Sequence, residues 1–301
     1  ESIANAVRDQ LIKLNYFAGS AGSIPGAVFS KKLIEKMPGM SRVYYSNSGS
    51  EANEKVYKMV RQIAHRHHGG KKWKILYRDR DYHGTTIAAL ASAGQDQRAM
   101  QYGPFPDGFV RVPHCLEYRK QWDVENYGER AADAIEEVIL REGPDTVGCL
   151  ILEPVTAGGG VIVPPKGYWE RVQEICKKYN ILLAIDEVVC GVGRTGTWFG
   201  YQHYGIKPDF VTMAKGVASG YAAIANQGLL VRPYLIEEVR RPDGAVLERN
   251  RVEATKAMEP AVASVLTRML EGVIDRGTAG RLADLPLAIA GKTGTTNEYT
   301  D

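Results

Sequence analysis

Cysteine is scarce in this sequence: only Cys115, Cys149, Cys176 and Cys190 stand among its 301 residues. None belongs to a Cys-x-x-Cys pair, which argues against a zinc site. Free thiols in a cytoplasmic setting, and no metal, are expected. Neither sign of charge predominates, with Lys+Arg 38 against Asp+Glu 35 and a formal net charge of +3. That balance argues against a dedicated nucleic-acid surface. No apolar run approaches the roughly 20 residues that span a bilayer. The first fourteen residues are charged and amphipathic, unlike a secretory leader, and with a first residue other than Met the sequence reads as a fragment or a processed chain. It has no internal repeat and no low-complexity linker. Apolar residues, by contrast, make up 44% of the sequence, enough for a sizeable core. The length suits one large domain or two ordinary ones.

Over about the first 224 positions, helix-like and strand-like patterns alternate. Ala4, Val7, Leu11 and Leu14 recur at helical spacing, and Ala52, Val56, Met59, Val60 and Ile63 mark a longer amphipathic helix. Further helices are expected over 131–140 and 168–179. Strand patterns fall at 43–45, 73–77, 181–185 and 210–213, and the apolar run 147–152 reads as a strand buried on both faces. Together they predict an α/β domain with a mostly parallel sheet. Near residue 225 the character changes. Residues 229–239 and 245–247 read as two strands around the turn Arg241-Pro242-Asp243-Gly244. A helix over 262–274, stopping near Gly277, and an apolar stretch at 287–290 follow. The chain is therefore divided into 1–224 and 225–301. His65, His67 and His68 close the long helix. Imidazoles ligate metals, but cationic groups also favour a helix C-terminus, and the second reading is adopted. Lys71 and Lys72 are expected in solvent.

Four segments carry chemistry. Ser46-Asn47-Ser48-Gly49-Ser50-Glu51-Ala52-Asn53 lies between a strand and the long helix. Backbone N–H groups at a helix start, with a small hydroxyl, make an anion site: Gly49 lets the backbone come close and Ser50 can donate to a phosphate oxygen. The same residues equally suit an ordinary helix cap. In Asp81-Tyr82-His83-Gly84, Tyr82 follows a strand and either stacks on a flat ring or simply packs. Asp186 continues the apolar strand before it. A carboxylate there faces the crevice in which α/β sheets bind ligands. It can hold a protonated pyridine nitrogen, with Val188 against the ring, or serve as a capping or solvated acid. Lys215, in Thr212-Met213-Ala214-Lys215-Gly216, follows another apolar strand and faces the same crevice. Desolvation would make it nucleophilic there, although a lone lysine after a strand is usually just solvated.

In order and spacing these segments resemble the class III pyridoxal-phosphate aminotransferases of the ω-amino acid–pyruvate type. The resemblance runs through Asn47-Ser48-Gly49-Ser50-Glu51-Ala52-Asn53, Tyr82-His83-Gly84, Leu152-Glu153-Pro154-Val155 and Gly158-Gly159-Gly160. It continues in Pro164-Pro165-Lys166-Gly167-Tyr168, Asp186-Glu187-Val188, Gly193-Arg194-Thr195-Gly196, Pro208-Asp209 and Ala214-Lys215-Gly216. It implies the large-domain fold of fold type I pyridoxal-phosphate enzymes. It also implies a cofactor held by Gly49, Ser50, Tyr82, His83, Glu153, Asp186, Val188 and Lys215. In that family the residue matching Lys215 is the Schiff-base lysine and proton carrier. The match to Asp186 pairs with the ring nitrogen, the matches to Tyr82 and Val188 sandwich the ring, and the matches to Gly49 and Ser50 hold the phosphate. Glu153 matches an acid near the cofactor. The implied activity transfers an amino group from an ω-amino acid or amine to a keto acid such as pyruvate, in a homodimer. The family's N-terminal pocket segment, its threonine for the neighbouring subunit's phosphate and its C-terminal small domain find no counterpart in the sequence.

From about residue 225 the resemblance changes. Asn226-Gln227-Gly228-Leu229-Leu230-Val231-Arg232-Pro233-Tyr234-Leu235-Ile236, Pro242-Asp243-Gly244 and Gly291-Lys292-Thr293-Gly294-Thr295-Thr296-Asn297 resemble the transpeptidase domain of class A penicillin-binding proteins. Lys-Thr-Gly lines a serine acyl-transfer site in that family. The chain has no Ser-x-x-Lys and no Ser-x-Asn to complete one. The expectation is a chimera of an aminotransferase-like domain and a hairpin–helix–strand transpeptidase fragment. A transpeptidase fragment and an inactive chimera stand as the alternatives.

Overall fold

The computed structural model describes residues 2–14 and 22–216, and beyond them the strands at 229–231, 238–240, 246–249 and 254–256. The chain divides into two compact units, Ile24–Val217 on one side and Glu1–Ser23 with Ala218–Asp301 on the other.

The first unit is organised by five short strands: β1 (Lys74–Arg78), β2 (Phe109–Val112), β3 (Val147–Leu152), β4 (Leu182–Asp186) and β5 (Phe210–Thr212). They form one sheet in the order β2-β1-β3-β4-β5, with every neighbouring pair parallel. All five strands therefore end on the same edge. Each is apolar on both sides, as a sheet covered on both faces requires, and alternate residues feed different cores. Leu76, Leu150, Leu152, Leu183 and Ile185 pack with Ala131, Ile135 and Ile139 of α6 (Tyr127–Glu142) and Trp169, Val172 and Ile175 of α7 (Tyr168–Lys178). Ile75, Tyr77, Cys149, Ile151 and Ala184 pack with Val56, Tyr57 and Val60 of α3 (Gly49–His67). Burying each larger apolar side chain contributes about 1.5–3 kcal/mol. The connections also carry α2 (Ile24–Glu35), α4 (Ile87–Ala91) and α5 (Asp96–Ala99).

The start of α3 shows why the sequence turns helical there. Ser48 is the N-cap and accepts from the Glu51 amide at 3.2 Å, while the Glu51 carboxylate accepts from the Asn47 amide at 2.8 Å. The Ser48 hydroxyl thus satisfies one of the helix's first amides, and Glu51 reaches back to the residue before the cap. The helix ends at His68 with His65, Arg66 and His67 in its last turn, where cations complement the exposed carbonyls. Among the described residues no group of three His, Cys, Asp or Glu side chains is placed to hold a metal.

Two expectations need correction. Residues 43–45 are not a strand. Tyr44 and Tyr45 are exposed, and among the described residues no strand lies alongside to pair their backbone. Tyr45 instead donates its hydroxyl to the Gly26 carbonyl, and Lys55 sits 4.1 Å from the Tyr44 ring centroid. Lys72 is not in solvent either. Its ammonium donates to the carbonyls of Pro144, Val147 and Tyr179 at 3.0, 3.3 and 2.7 Å. Partial burial lowers its pKa.

In the second unit α1 spans Ser2–Lys13. Strand β6 (Leu229–Val231) pairs antiparallel with β9 (Ala254–Lys256), and β7 (Glu238–Arg240) pairs antiparallel with β8 (Val246–Arg249). Strands β7 and β8 lie either side of the expected turn, which itself lies outside the described residues, and the stretch 229–239 contributes to two separate strand pairs instead of one strand. The expected helix over 262–274 and the segment Gly291–Asn297 lie outside the described residues. No described helix is long and apolar enough to cross a membrane.

Candidate active site

The C-terminal edge of the parallel sheet gathers the candidate residues. Tyr82 and His83 follow β1, Glu153 follows β3, Asp186 ends β4, and Lys215 comes three residues after β5. Gly49 and Ser50 open α3, which covers one face of the sheet. In an open α/β sheet this edge is where ligands bind.

Asp186 is the anchor. It is buried, and three hydrogen-bonding groups meet its carboxylate. Oδ2 accepts from Asn53 Nδ2 at 2.8 Å and pairs with His83 Nδ1 at 2.8 Å, while Oδ1 accepts from the Val188 amide at 2.9 Å. A carboxylate offers about four acceptor positions, so room for one more donor remains. His83 is fully buried and its Nε2 has no partner. Burial alone would lower its pKa, but the hydrogen bond to Asp186 and the charges of Asp186, Asp81 and Glu153 outweigh burial and raise it.

Tyr82 and Glu153 are tied together: the Tyr82 amide donates to Glu153 Oε1 at 2.9 Å, and the Ala157 amide to Oε2 at 3.1 Å. Burial, then the nearby charges of Asp81 and Asp186, push Glu153 up to about 8. Beneath them lies a buried ion pair. Arg78 donates to Asp81 Oδ1 from Nε at 3.2 Å and from Nη2 at 3.0 Å, and to the Glu153 carbonyl at 2.8 Å. Asp81 Oδ2 accepts from the Glu153 amide at 2.9 Å. The Arg98 guanidinium sits 4.6 Å from the Tyr82 ring centroid, a cation–π distance.

Gly49 and Val188 are in close register. A Cβ on Gly49 would lie 2.8 Å from Val188 Cγ2 and 3.4 Å from Ala214 Cβ. Only glycine permits this approach, and it brings the start of α3 against the segments following β4 and β5. Ser50 Oγ accepts from the Thr85 amide at 3.0 Å, which links α3 to the Tyr82–Gly84 loop. Nearby, Ser46 Oγ is buried without a partner. The Lys215 amide donates to the Val188 carbonyl at 3.3 Å. The Lys215 side chain is exposed, so the described residues do not supply the desolvation expected of it.

The structure links His83, Asp186 and Val188 by hydrogen bonds, ties Tyr82 to Glu153, and sets Gly49 against Val188 and Ser50 against the loop after Tyr82; Lys215 joins them through its backbone amide. Sequence reasoning gave no role to Asn53, Thr212, Arg78 or Asp81. Asn53 and Thr212 stand inside the motifs above, but nothing in the sequence around them, least of all the run Ser50-Glu51-Ala52-Asn53-Glu54-Lys55 that holds Asn53, marks them as buried. Glu187, beside Asp186, is likewise buried. Its oxygens accept from the Gly200 and Tyr201 amides at 2.9 and 2.7 Å, and burial pushes it up to about 7.

The site's residues fit a flat anionic heterocycle such as pyridoxal phosphate. The free N–H groups at the start of α3 and the unpartnered Ser46 hydroxyl suit an anion, and the spare acceptor position on Asp186 suits a protonated ring nitrogen.

Comparison with known proteins agrees with this picture. Residues 1–230 match the family Aminotransferase class-III, and residues 203–301 match the penicillin binding protein transpeptidase domain. A hypotaurine/taurine–pyruvate aminotransferase of Paracoccus denitrificans is 87% identical over 225 residues, covering 75% of this chain and 49% of that protein. A taurine–pyruvate aminotransferase of Bilophila wadsworthia is 60% identical over 226 residues, covering 75% of this chain and 50% of that protein. The crystal structure of an omega transaminase from Pseudomonas jessenii in complex with PMP superposes with a TM-score of 0.70 at 38% identity, covering 73% of this chain and 50% of that one. The chain spans about half the length of the curated relatives it matches.

Proposed function

The chain belongs to the class III aminotransferases, a pyridoxal-phosphate family, and from that membership we propose that its α/β unit binds pyridoxal phosphate and transfers an amino group from an ω-amino acid or amine to a keto acid such as pyruvate. The observation that carries this reading is Asp186, buried at the C-terminal end of β4 and met by Asn53 of α3, His83 of the loop after β1 and the Val188 amide two residues on. The donor substrate belongs to the amino-sulfonate or amino-sulfinate class that the names of two similar relatives state.

Gly49 and Ser50 hold the phosphate, Tyr82 and Val188 hold the ring, and Asp186 holds the ring nitrogen, with His83 and Glu153 supporting Asp186 and Tyr82. When bound, pyridoxal phosphate supplies an electron sink for bond breaking at the amine-bearing carbon. With the group bound, Lys215 would be the residue that holds its aldehyde carbon, and the lysine amine would be the base that takes and returns a proton at the substrate carbon. Asp186, as an acceptor, keeps the ring nitrogen protonated.

The working assembly is a homodimer, which sedimentation tests. A cytoplasmic setting suits its four free, buried cysteines. The two family matches overlap over 203–230, and the join at about 224/225 falls inside that overlap. The transpeptidase segment adds no second activity, because the chain lacks Ser-x-x-Lys.

The deciding experiment is an absorption spectrum of the purified chain with added pyridoxal phosphate. A band at longer wavelength than protein absorbance, retained after gel filtration and lost in Lys215→Ala, is the expected result. A wild-type chain that returns from gel filtration without the band overturns the reading.

A further inference from the structure

Asn53 lies on α3 four residues after Gly49, is fully buried, and touches three other segments. Its Nδ2 donates to the His83 carbonyl at 2.7 Å and to Asp186 Oδ2 at 2.8 Å, and its Oδ1 accepts from Thr212 Oγ1 at 2.8 Å. The orientation of this amide is dictated by its neighbours. The His83 backbone carbonyl can only accept, so the nitrogen must face it. The same nitrogen then faces Asp186, and the oxygen faces Thr212. The Thr212 hydroxyl must therefore donate to Asn53. Thr212 ends β5, directly beside Asp186 in the sheet register, and its carbonyl accepts from the Glu187 amide at 2.8 Å. It is 5% exposed, so no water shell competes for its single proton.

Resting on the functional reading above, we propose that Thr212 and Asn53 are a positioning pair for the cofactor's acid: the His83 carbonyl sets which end of the Asn53 amide faces Asp186, Thr212 holds the amide there from its other end, and this fixes the carboxylate that meets the ring nitrogen. A flipped amide would set Asn53 Oδ1 against both the His83 carbonyl and Asp186 Oδ2, oxygen against oxygen at hydrogen-bond distance. The pair also connects the strand that leads to Lys215 with the strand that ends in Asp186, through the helix that starts at Gly49. One hydrogen-bond chain thereby links the elements carrying the lysine, the acid and the phosphate donors.

The test compares Thr212→Val, which keeps the shape and removes the hydroxyl, with Thr212→Ser, which keeps the hydroxyl. The probe is pyridoxal phosphate itself, titrated into cofactor-free protein, with its affinity and the wavelength of the bound band as readouts. The expected result for Thr212→Val is a loss of affinity on the order of tenfold, as for one buried hydrogen bond left half-made, with a displaced band. Thr212→Ser restores both. A lost hydroxyl acting only on stability would lower the melting temperature and leave the band and affinity of the folded fraction unchanged, and that outcome overturns the proposal. Should Thr212→Val fail to fold, Asn53→Ser takes its place, with the same loss expected and wild-type affinity overturning the proposal. If the wild-type chain shows no bound band at all, the functional reading itself has failed. If the wild type binds and Thr212→Val matches it, only the positioning pair has failed.

Discussion

Gly84 is the residue at which the site has least room. Its φ is +146°, and a Cβ there would meet Ser50 Oγ at 2.5 Å and Ala89 Cβ at 2.8 Å. Gly84→Ala must therefore displace Ser50, which accepts from the Thr85 amide, while holding a backbone that L residues rarely adopt. The expected cost is about 1–3 kcal/mol, read as a lower urea midpoint, together with weaker pyridoxal-phosphate binding. Wild-type values for both would show that Ser50 yields freely. A second residue-scale prediction concerns pH. Glu153 is raised from 4.5 to about 8 in the fold, so between those values the native state holds a proton that the unfolded state has released. Stability from this group is complete below about pH 4.5 and is lost as pH rises through about 8. His83, also raised, has the same sign. His114, lowered from 6.5 by burial, opposes them only below about that pH. The urea midpoint of the cofactor-free chain should fall between pH 6.5 and 8, and Glu153→Gln should flatten the decline. An equally steep decline in the variant would remove Glu153 as its source. At this scale Tyr82, Asp186 and Lys215 were legible because each follows an apolar strand. Asn53, Thr212, Arg78 and Asp81 were not, because a polar residue in a helix, strand or turn reads as solvent-facing until the fold buries it.

At the scale of elements, the end of the sheet opposite the site depends on Lys72. Its ammonium satisfies carbonyls from the α6–β3 connection, the start of β3 and the end of α7, groups that belong to separate elements. Gly148 in β3 is part of the same junction: a Cβ there would lie 2.1 Å from the Lys72 carbonyl oxygen. Lys72→Met keeps the aliphatic stem and removes the donors, leaving partly buried carbonyls unpaired. It should lower stability by about 1–3 kcal/mol without changing the spectrum of bound cofactor, since the site lies at the other edge. A change of spectrum at unchanged stability would contradict that separation. The sequence read Lys72 as solvated because a Lys-Lys pair after Gly-Gly carries no trace of carbonyls more than seventy positions away. Strands β1, β3, β4 and β5 were legible from apolar runs buried on both faces. Strand β2 was not recognised, being four residues with an arginine among them. Residues 43–45 passed for a strand because aromatic and β-branched residues favour sheets, yet a strand also needs a neighbour.

For the whole molecule, the question is what two families in one chain allow. The aminotransferase match covers the unit whose sheet edge carries Asp186, with Lys215 and the start of α3 beside it. The transpeptidase match brings Lys292-Thr293-Gly294, which in serine acyl transfer lines a site without attacking the substrate. Attack requires a hydroxyl made nucleophilic by a neighbouring base, and the Ser-x-x-Lys pairing that supplies both is missing from the sequence. A fluorescent penicillin should therefore leave the chain unlabelled on a denaturing gel, even from a sample that shows the long-wavelength band with pyridoxal phosphate. The two readouts are independent, since one reports a covalent bond to serine and the other a bound heterocycle. A labelled band that survives denaturation and is blocked by excess unlabelled penicillin would mean that some other hydroxyl has been activated. The chain would then carry acyl-transfer chemistry beside its cofactor site.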